Sequence, residues 1–147
     1  MIIHAMQEHL NALVALEKRL FSKDDFPLSS GSFYYHIKKN NLFVYIHDNE
    51  LVAYVLWLKR KKYYRLYSLG VSSECRGIGM AEMLLAYSFE HLKASYYSLE
   101  VKTTNQSAIS LYEKIGFTKQ KVLKGYYPNN DDGYLMRKQN SDETQKL

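Results

Sequence analysis

The chain has 147 residues, enough for one ordinary domain to bury a core without disulfide or metal staples. Its 46% hydrophobic and 24% charged residues exclude a disordered tail, its lone Cys75 excludes an internal disulfide and argues against a cysteine-built metal site, and no apolar run nears the ~20 residues that cross a bilayer. The net charge of +5 suits anionic partners, and equally a solvated basic surface.

The N-terminal stretch MIIHAMQEHLNALVALEKRL lacks the basic start, unbroken apolar centre and small-residue cleavage site of a signal peptide, so a cytoplasmic protein without a membrane partner is expected. In it Met6, Leu10, Leu13, Val14, Leu20 and Phe21 recur at helical spacing, and a short second helix is expected near 30–39. NLFVYIHD (41–48) and LVAYVLWLKR (51–60) read as strands separated by a polar turn around Asn49. The basic stretch Lys59 to Lys62 reads as the turn feeding a third strand over 62–71. Ala81, Leu84, Leu85, Ser88 and Leu92 then form one stripe of a helix. YSLEV (97–101) alternates as a strand, with Tyr97, Leu99 and Val101 on one face and Ser98 and Glu100 on the other. Ala108, Leu111, Tyr112 and Ile115 mark another helix, with Asn105 as its N-cap and Gly116 as its terminator. Two more strands are expected near 117–126 and 133–138, giving one domain over 1–138 and a polar tail over 139–147. The order implies an α/β layout, a sheet carrying helices.

CRGIGMAEMLL (75–85) places an arginine and two glycines between a strand and a helix. The first turn of a helix has N–H groups without intrahelical partners, and its dipole adds roughly half a positive charge. Gly77 and Gly79 let an anion approach bare backbone while Arg76 adds fixed charge, so the stretch reads as a pyrophosphate cradle; a plain tight connection is the other reading. It has neither the Lys-Ser or Lys-Thr pair of a P-loop nor the three glycines of the dinucleotide fingerprint.

Arg76-x-x-Gly79-x-Ala81 after a strand ending in Val71 resembles the acetyl-coenzyme A motif of the GNAT superfamily of N-acetyltransferases. LEVKTTNQSAISLYEKIGF (99–117) resembles that family's second signature, and GYYPNNDDGYLM (125–136) and FPLSSGSF (26–33) resemble segments of its bacterial ribosomal-protein-alanine branch. The resemblance covers the chain from about Phe26 to Met136. It implies a mixed, mostly antiparallel sheet of about six to seven strands flanked by about four helices, with acetyl-coenzyme A as the acetyl donor. It further implies Glu100 as general base and Tyr112 as general acid, although strand alternation alone fits an exposed or ion-paired glutamate equally, and the helical stripe by itself reads Tyr112 as a core tyrosine. Leu69, Gly70 and Val71 match the backbone that pairs with the pantetheine arm, with a Val71 amide polarising the thioester. Arg76, Gly77, Ile78, Gly79, Met80 and Ala81 match the pyrophosphate loop, and Asn105 a contact near the reactive end. Phe26, Pro27, Tyr126 and Tyr127 match the acceptor side, for which ordinary packing is an even alternative. Leu28 stands where the branch usually has Trp, which bears on the acceptor more than on the reaction. The implied acceptor is a protein N-terminal α-amine, of a ribosomal-protein-like target. A small amine such as a polyamine, amino sugar or antibiotic, a non-catalytic coenzyme A-binding module and a nucleic-acid binder stay open as alternatives, the last resting on charge alone. No metal or specific nucleic-acid partner is expected, and Cys75 is read as incidental.

Overall fold

The computed structural model describes residues 1–140. Its strands are β1 (Ile2–His4), β2 (Leu42–His47), β3 (Glu50–Lys59), β4 (Tyr63–Val71), β5 (Tyr96–Lys102), β6 (Thr118–Leu123) and β7 (Gly133–Gln139). Its helices are α1 (Leu10–Leu20), α2 (Ser30–Lys38), α3 (Met80–His91) and α4 (Gln106–Lys114). The strands form one seven-stranded sheet in the order β1-β2-β3-β4-β5-β7-β6, mostly antiparallel, as the expected layout requires. β4 and β5 form the parallel pair, in register from Tyr63↔Tyr96 to Arg65↔Ser98. No helix among the described residues is long and apolar enough to cross a membrane.

Close contacts divide the chain into two units, Met1–Trp57 with Tyr67–Leu92, and Leu58–Leu66 with the chain from Lys93 on. In the first unit both faces of the β2–β3 pair are covered. Leu42, Val44, Tyr54 and Leu56 join Leu13 and Leu16 of α1 and Phe33 of α2 in one cluster. On the opposite face Phe43 meets Tyr87 and Trp57 meets Phe89, both from α3. Double coverage explains why β3 reads as a near-continuous apolar run rather than an alternating one. In the second unit β7 lies antiparallel between β5 and β6. Tyr97, Leu99, Val101, Ile109, Phe117 and Met136 are buried there.

Two expectations need correction. The first helix starts at Leu10, after a 3-10 turn over Gln7–His9, and Met6 lies before it with its side chain exposed. Ile2–His4 instead forms a strand against β2, too short to show a period. In α4 the expected stripe of Ala108, Leu111, Tyr112 and Ile115 is half-buried, and Ile109 beside it is fully buried. The tail does not begin at Gln139, because β7 includes it and Asn140 donates from its backbone N to the Ser95 carbonyl at 3.0 Å and from Nδ2 to the Ala94 carbonyl at 2.6 Å. The rest of the expected tail lies outside the described residues.

Candidate active site

The glycine-rich turn in the first unit is an open backbone surface. Gly77 and Gly79 have φ of 81° and 85°, and a Cβ built on either meets nothing within 4 Å. Only glycine takes such angles without strain, and the absent side chains leave the backbone bare. Gly79 is the N-cap of α3 and supplies no side-chain acceptor, so the first-turn amides are not capped by a side chain. Arg76 is exposed, and its Nε donates to the Val71 carbonyl at 3.4 Å, tying the loop to the end of β4. Ile78 is exposed, whereas Met80 is buried and anchors the helix start. A pyrophosphate fits this donor set, since bare amides, a helix N-terminus and a guanidinium converge on one short turn.

Gly70 has a packing role besides. A Cβ there would lie 2.7 Å from the Tyr54 ring and 2.9 Å from a Leu20 methyl. Tyr54 is fully buried, with its hydroxyl hydrogen-bonded to Glu17 and 2.6 Å from Ser68 Oγ. Burial and the neighbouring Glu17 push its phenol well above the ordinary range. Glu17 also accepts from the Leu28 amide at 2.7 Å, so this buried carboxylate pins the loop that carries Phe26 and Pro27. Phe26 is 75% exposed with φ at 52°, a left-handed angle rarely taken by a bulky residue. It lines a cavity of about 350 Å³ with Glu17, Leu28, Tyr67 and Ser68. Glu17 was missed as a site-shaping residue, although a glutamate beside the apolar stripe of α1 was the available signal.

In the second unit Glu100 is drawn into a cluster. Its side chain is 12% exposed and its Oε1 accepts from Arg65 Nε at 2.8 Å and from the Tyr126 hydroxyl at 3.1 Å. Arg65 Nη2 also donates to the Tyr126 hydroxyl, at 3.4 Å. Among the described residues Oε2 accepts no hydrogen bond. Arg65 was missed: it belongs to an expected strand, and only the pairing of β4 with β5 reveals its partner. Tyr126 meets Tyr127 edge-on at 5.1 Å, and Lys102 Nζ lies 5.4 Å from the Tyr127 ring centre. Gly133 is required beneath that ring, because its Cβ would stand 3.0 Å from Tyr127 Cε2. Burial pushes the Tyr127 phenol up to about 12, with the charge of Glu100 and the nearby Tyr126 and Tyr112 adding to the rise. Burial likewise pushes Tyr112 up to about 12, so it holds its proton throughout the neutral range. Tyr112 stands on α4, whose N-cap Asn105 accepts the Ala108 amide at 3.2 Å through Oδ1. Glu100, Tyr112, Tyr126 and Tyr127 thus gather in one unit, while Phe26, Pro27 and the 69–81 segment belong to the other.

Residues 10–117 match the model of the acetyltransferase (GNAT) family. The chain belongs to the GNAT family. This GNAT is an acetyl-coenzyme A-dependent N-acetyltransferase, and the mixed sheet is that family's fold. Among its relatives is the N-alpha-acetyltransferase of Saccharolobus solfataricus, 40% identical over 124 residues and spanning 71% of this chain and 73% of that protein. Its fold resembles the crystal structure of the ribosomal-protein-S18-alanine N-acetyltransferase from Escherichia coli, with a TM-score of 0.83 at 22% identity over 95% of this chain and 92% of the other. A chain of the NatC complex bound to Gag peptide and CoA aligns with a TM-score of 0.81 at 18% identity, covering 95% and 97%.

Proposed function

We propose that this GNAT acetylates the N-terminal α-amine of a protein, with a ribosomal-protein-like terminus as one acceptor class. The observation that carries the reading is the Glu100 cluster: Arg65 and Tyr126 occupy one carboxylate oxygen, and the other remains to meet an amine or an ordered water. Such a carboxylate suits an α-amine, whose ordinary pKa of about 7.7–8.0 leaves a sizeable neutral fraction near pH 7.5. An alkylamine near 10.4 would need far more help from a base. Relatives named as N-alpha-acetyltransferases support the same acceptor.

Bound acetyl-coenzyme A supplies an activated acyl group and a thiol leaving group. In the proposed mechanism Glu100 Oε2 takes the proton of the attacking amine, directly or through a water. Tyr112, kept protonated by burial, holds its hydroxyl proton for the departing sulfur. The backbone of Leu69, Gly70 and Val71 aligns the pantetheine arm, and the Val71 amide donates to the thioester oxygen. The turn from Arg76 to Ala81 binds the pyrophosphate. Asn105 keeps Nδ2 as a donor toward the coenzyme, because Oδ1 already serves the helix cap. Phe26, Pro27, Tyr126 and Tyr127 orient the acceptor.

A thiol-release assay with acetyl-coenzyme A tests this against short peptides with free N-termini and a panel of polyamines and amino sugars. The reading expects turnover on peptides, with mass spectrometry placing the acetyl group on the α-amine. Turnover on small amines alone overturns it.

A further inference from the structure

We infer that the acceptor chain is acidic a few residues behind its amine, and that Arg60, Lys121 and Arg137 select it. The inference rests on the proposed role of Glu100 in receiving that amine.

The cluster around Glu100 opens into a cleft of about 410 Å³ whose lining includes Arg60, Arg65, Glu100, Lys121, Tyr126 and Arg137. Cross-strand register explains why Arg65, Glu100, Lys121 and Arg137 share a face, which Arg60 joins from the turn after β3. Arg65 pairs with Ser98 and Ser98 with Arg137, while Leu135 pairs with both Glu100 and Lys121. Directly paired residues project to the same side of a sheet, so two adjacent rows carry basic groups around a single carboxylate.

That carboxylate is already neutralised, since Glu100 is paired with Arg65. The other three cations meet no carboxylate among the described residues. The Arg60 guanidinium donates to the neighbouring Lys59 carbonyl, at 3.2 Å. Arg137 is held 4.8 Å above the Tyr96 ring, itself stacked on Tyr63 at 4.7 Å. Stacking fixes the guanidinium plane and leaves its N–H edges for a carboxylate. Lys121 flanks the same cleft from β6. Like charges gathered on one sheet face cost stability, a cost that a bound anion relieves.

Distance identifies the anion as part of the acceptor. Lys121 lies two strands from Glu100, roughly 10 Å at the usual strand spacing, and an extended peptide covers that in about three residues. An acceptor whose amine meets Glu100 therefore brings the side chain of its third or fourth residue, whichever faces the sheet, to the basic rows.

The test uses the full chain and three peptides that are identical except at positions three and four, which carry Asp-Asp, Ser-Ser or Lys-Lys. Steady-state thiol release is measured for each at about 25 mM and about 500 mM salt. The expected order in kcat/KM is acidic over neutral over basic, about tenfold between the extremes at low salt, expressed mainly in KM and shrinking at high salt. Exchanging both residues, Lys121→Glu with Arg137→Glu, is expected to invert the order, with coenzyme binding confirming that the variant is folded. Equal turnover of the three peptides overturns the inference and leaves the α-amine reading standing. A preference that ignores salt, or survives the double exchange, also overturns it. Turnover of small amines but of no peptide overturns the α-amine reading itself, and the inference with it.

Discussion

The turn from Arg76 to Ala81 is built of backbone, whereas the Glu100 face is built of side chains drawn from three separated stretches of chain. At the turn, two glycines with positive φ and an uncapped helix start present amides to an anion, and no distant residue is needed to create them. At Glu100, Arg65 stands 35 residues away in sequence and Tyr126 26 residues away, and the carboxylate has its character only because the β4–β5 pairing delivers the first and the loop between β6 and β7 the second. A backbone site is as robust as the local chain geometry that makes it. A side-chain site inherits the precision of the whole sheet.

Perturbing each kind of site should therefore produce different signatures. The largest effect is expected at the turn: Gly79→Glu sets a carboxylate against the pyrophosphate position and should weaken coenzyme binding by about 100-fold or more in calorimetry, with circular dichroism unchanged. Gly79→Ala carries the same backbone strain without the charge, so affinity falling equally in both would move the explanation from charge to strain.

Tyr112→Phe comes next, with kcat expected to fall about 100-fold and coenzyme affinity to hold. The same variant has an alkaline signature. The ordinary tyrosine value of 10 rises to about 12 in the folded chain, so the fold holds that proton more tightly. The corresponding stability is fully present below pH 10 and is lost as pH rises through about 12. Removing the hydroxyl should make the alkaline limb of a thermal-melt series shallower.

Glu100→Gln is expected to cost about 10-fold in kcat/KM near pH 6, a deficit that narrows above pH 8 as the α-amine sheds its own proton. Its sign follows from the amine: at low pH the acceptor is protonated and needs a base, at high pH it does not. A deficit of constant size across that range would remove Glu100 as the proton acceptor.

The smallest change in activity, and a purely structural one, belongs to Gly70→Ala. Its new methyl would press on the buried Tyr54 ring and should lower stability by about 1–3 kcal/mol, read as a fall in Tm, while leaving kcat nearly intact in protein that remains folded.

How much was legible in the sequence varies with the range of the interaction. The helix at 106–114 was readable at both ends, because Asn105 accepts the Ala108 amide and Gly116, with φ of 109°, follows the helix as a terminator should. β1 was not readable, since three residues carry no period and the strand exists only where β2 offers it an edge. Gly70 was read as a coenzyme contact, and only packing shows why a side chain is barred there. Glu100 was singled out by its motif, yet its partner Arg65 gave no local signal.

The sequence by itself determined an α/β layout and a glycine-rich entry to α3, because hydrophobic period, caps and glycine placement are short-range properties of the chain, and its motifs pointed to the acetyl donor through their resemblance to the family. Tertiary structure alone decided which carboxylate oxygen stays open, that Glu17 and Tyr54 brace the Phe26 loop, and that Arg60, Lys121 and Arg137 share a face with Glu100. Those facts depend on strand register and burial, and a shift of one residue in the register of their strands would turn Tyr54, Glu100, Lys121 or Arg137 to the opposite face.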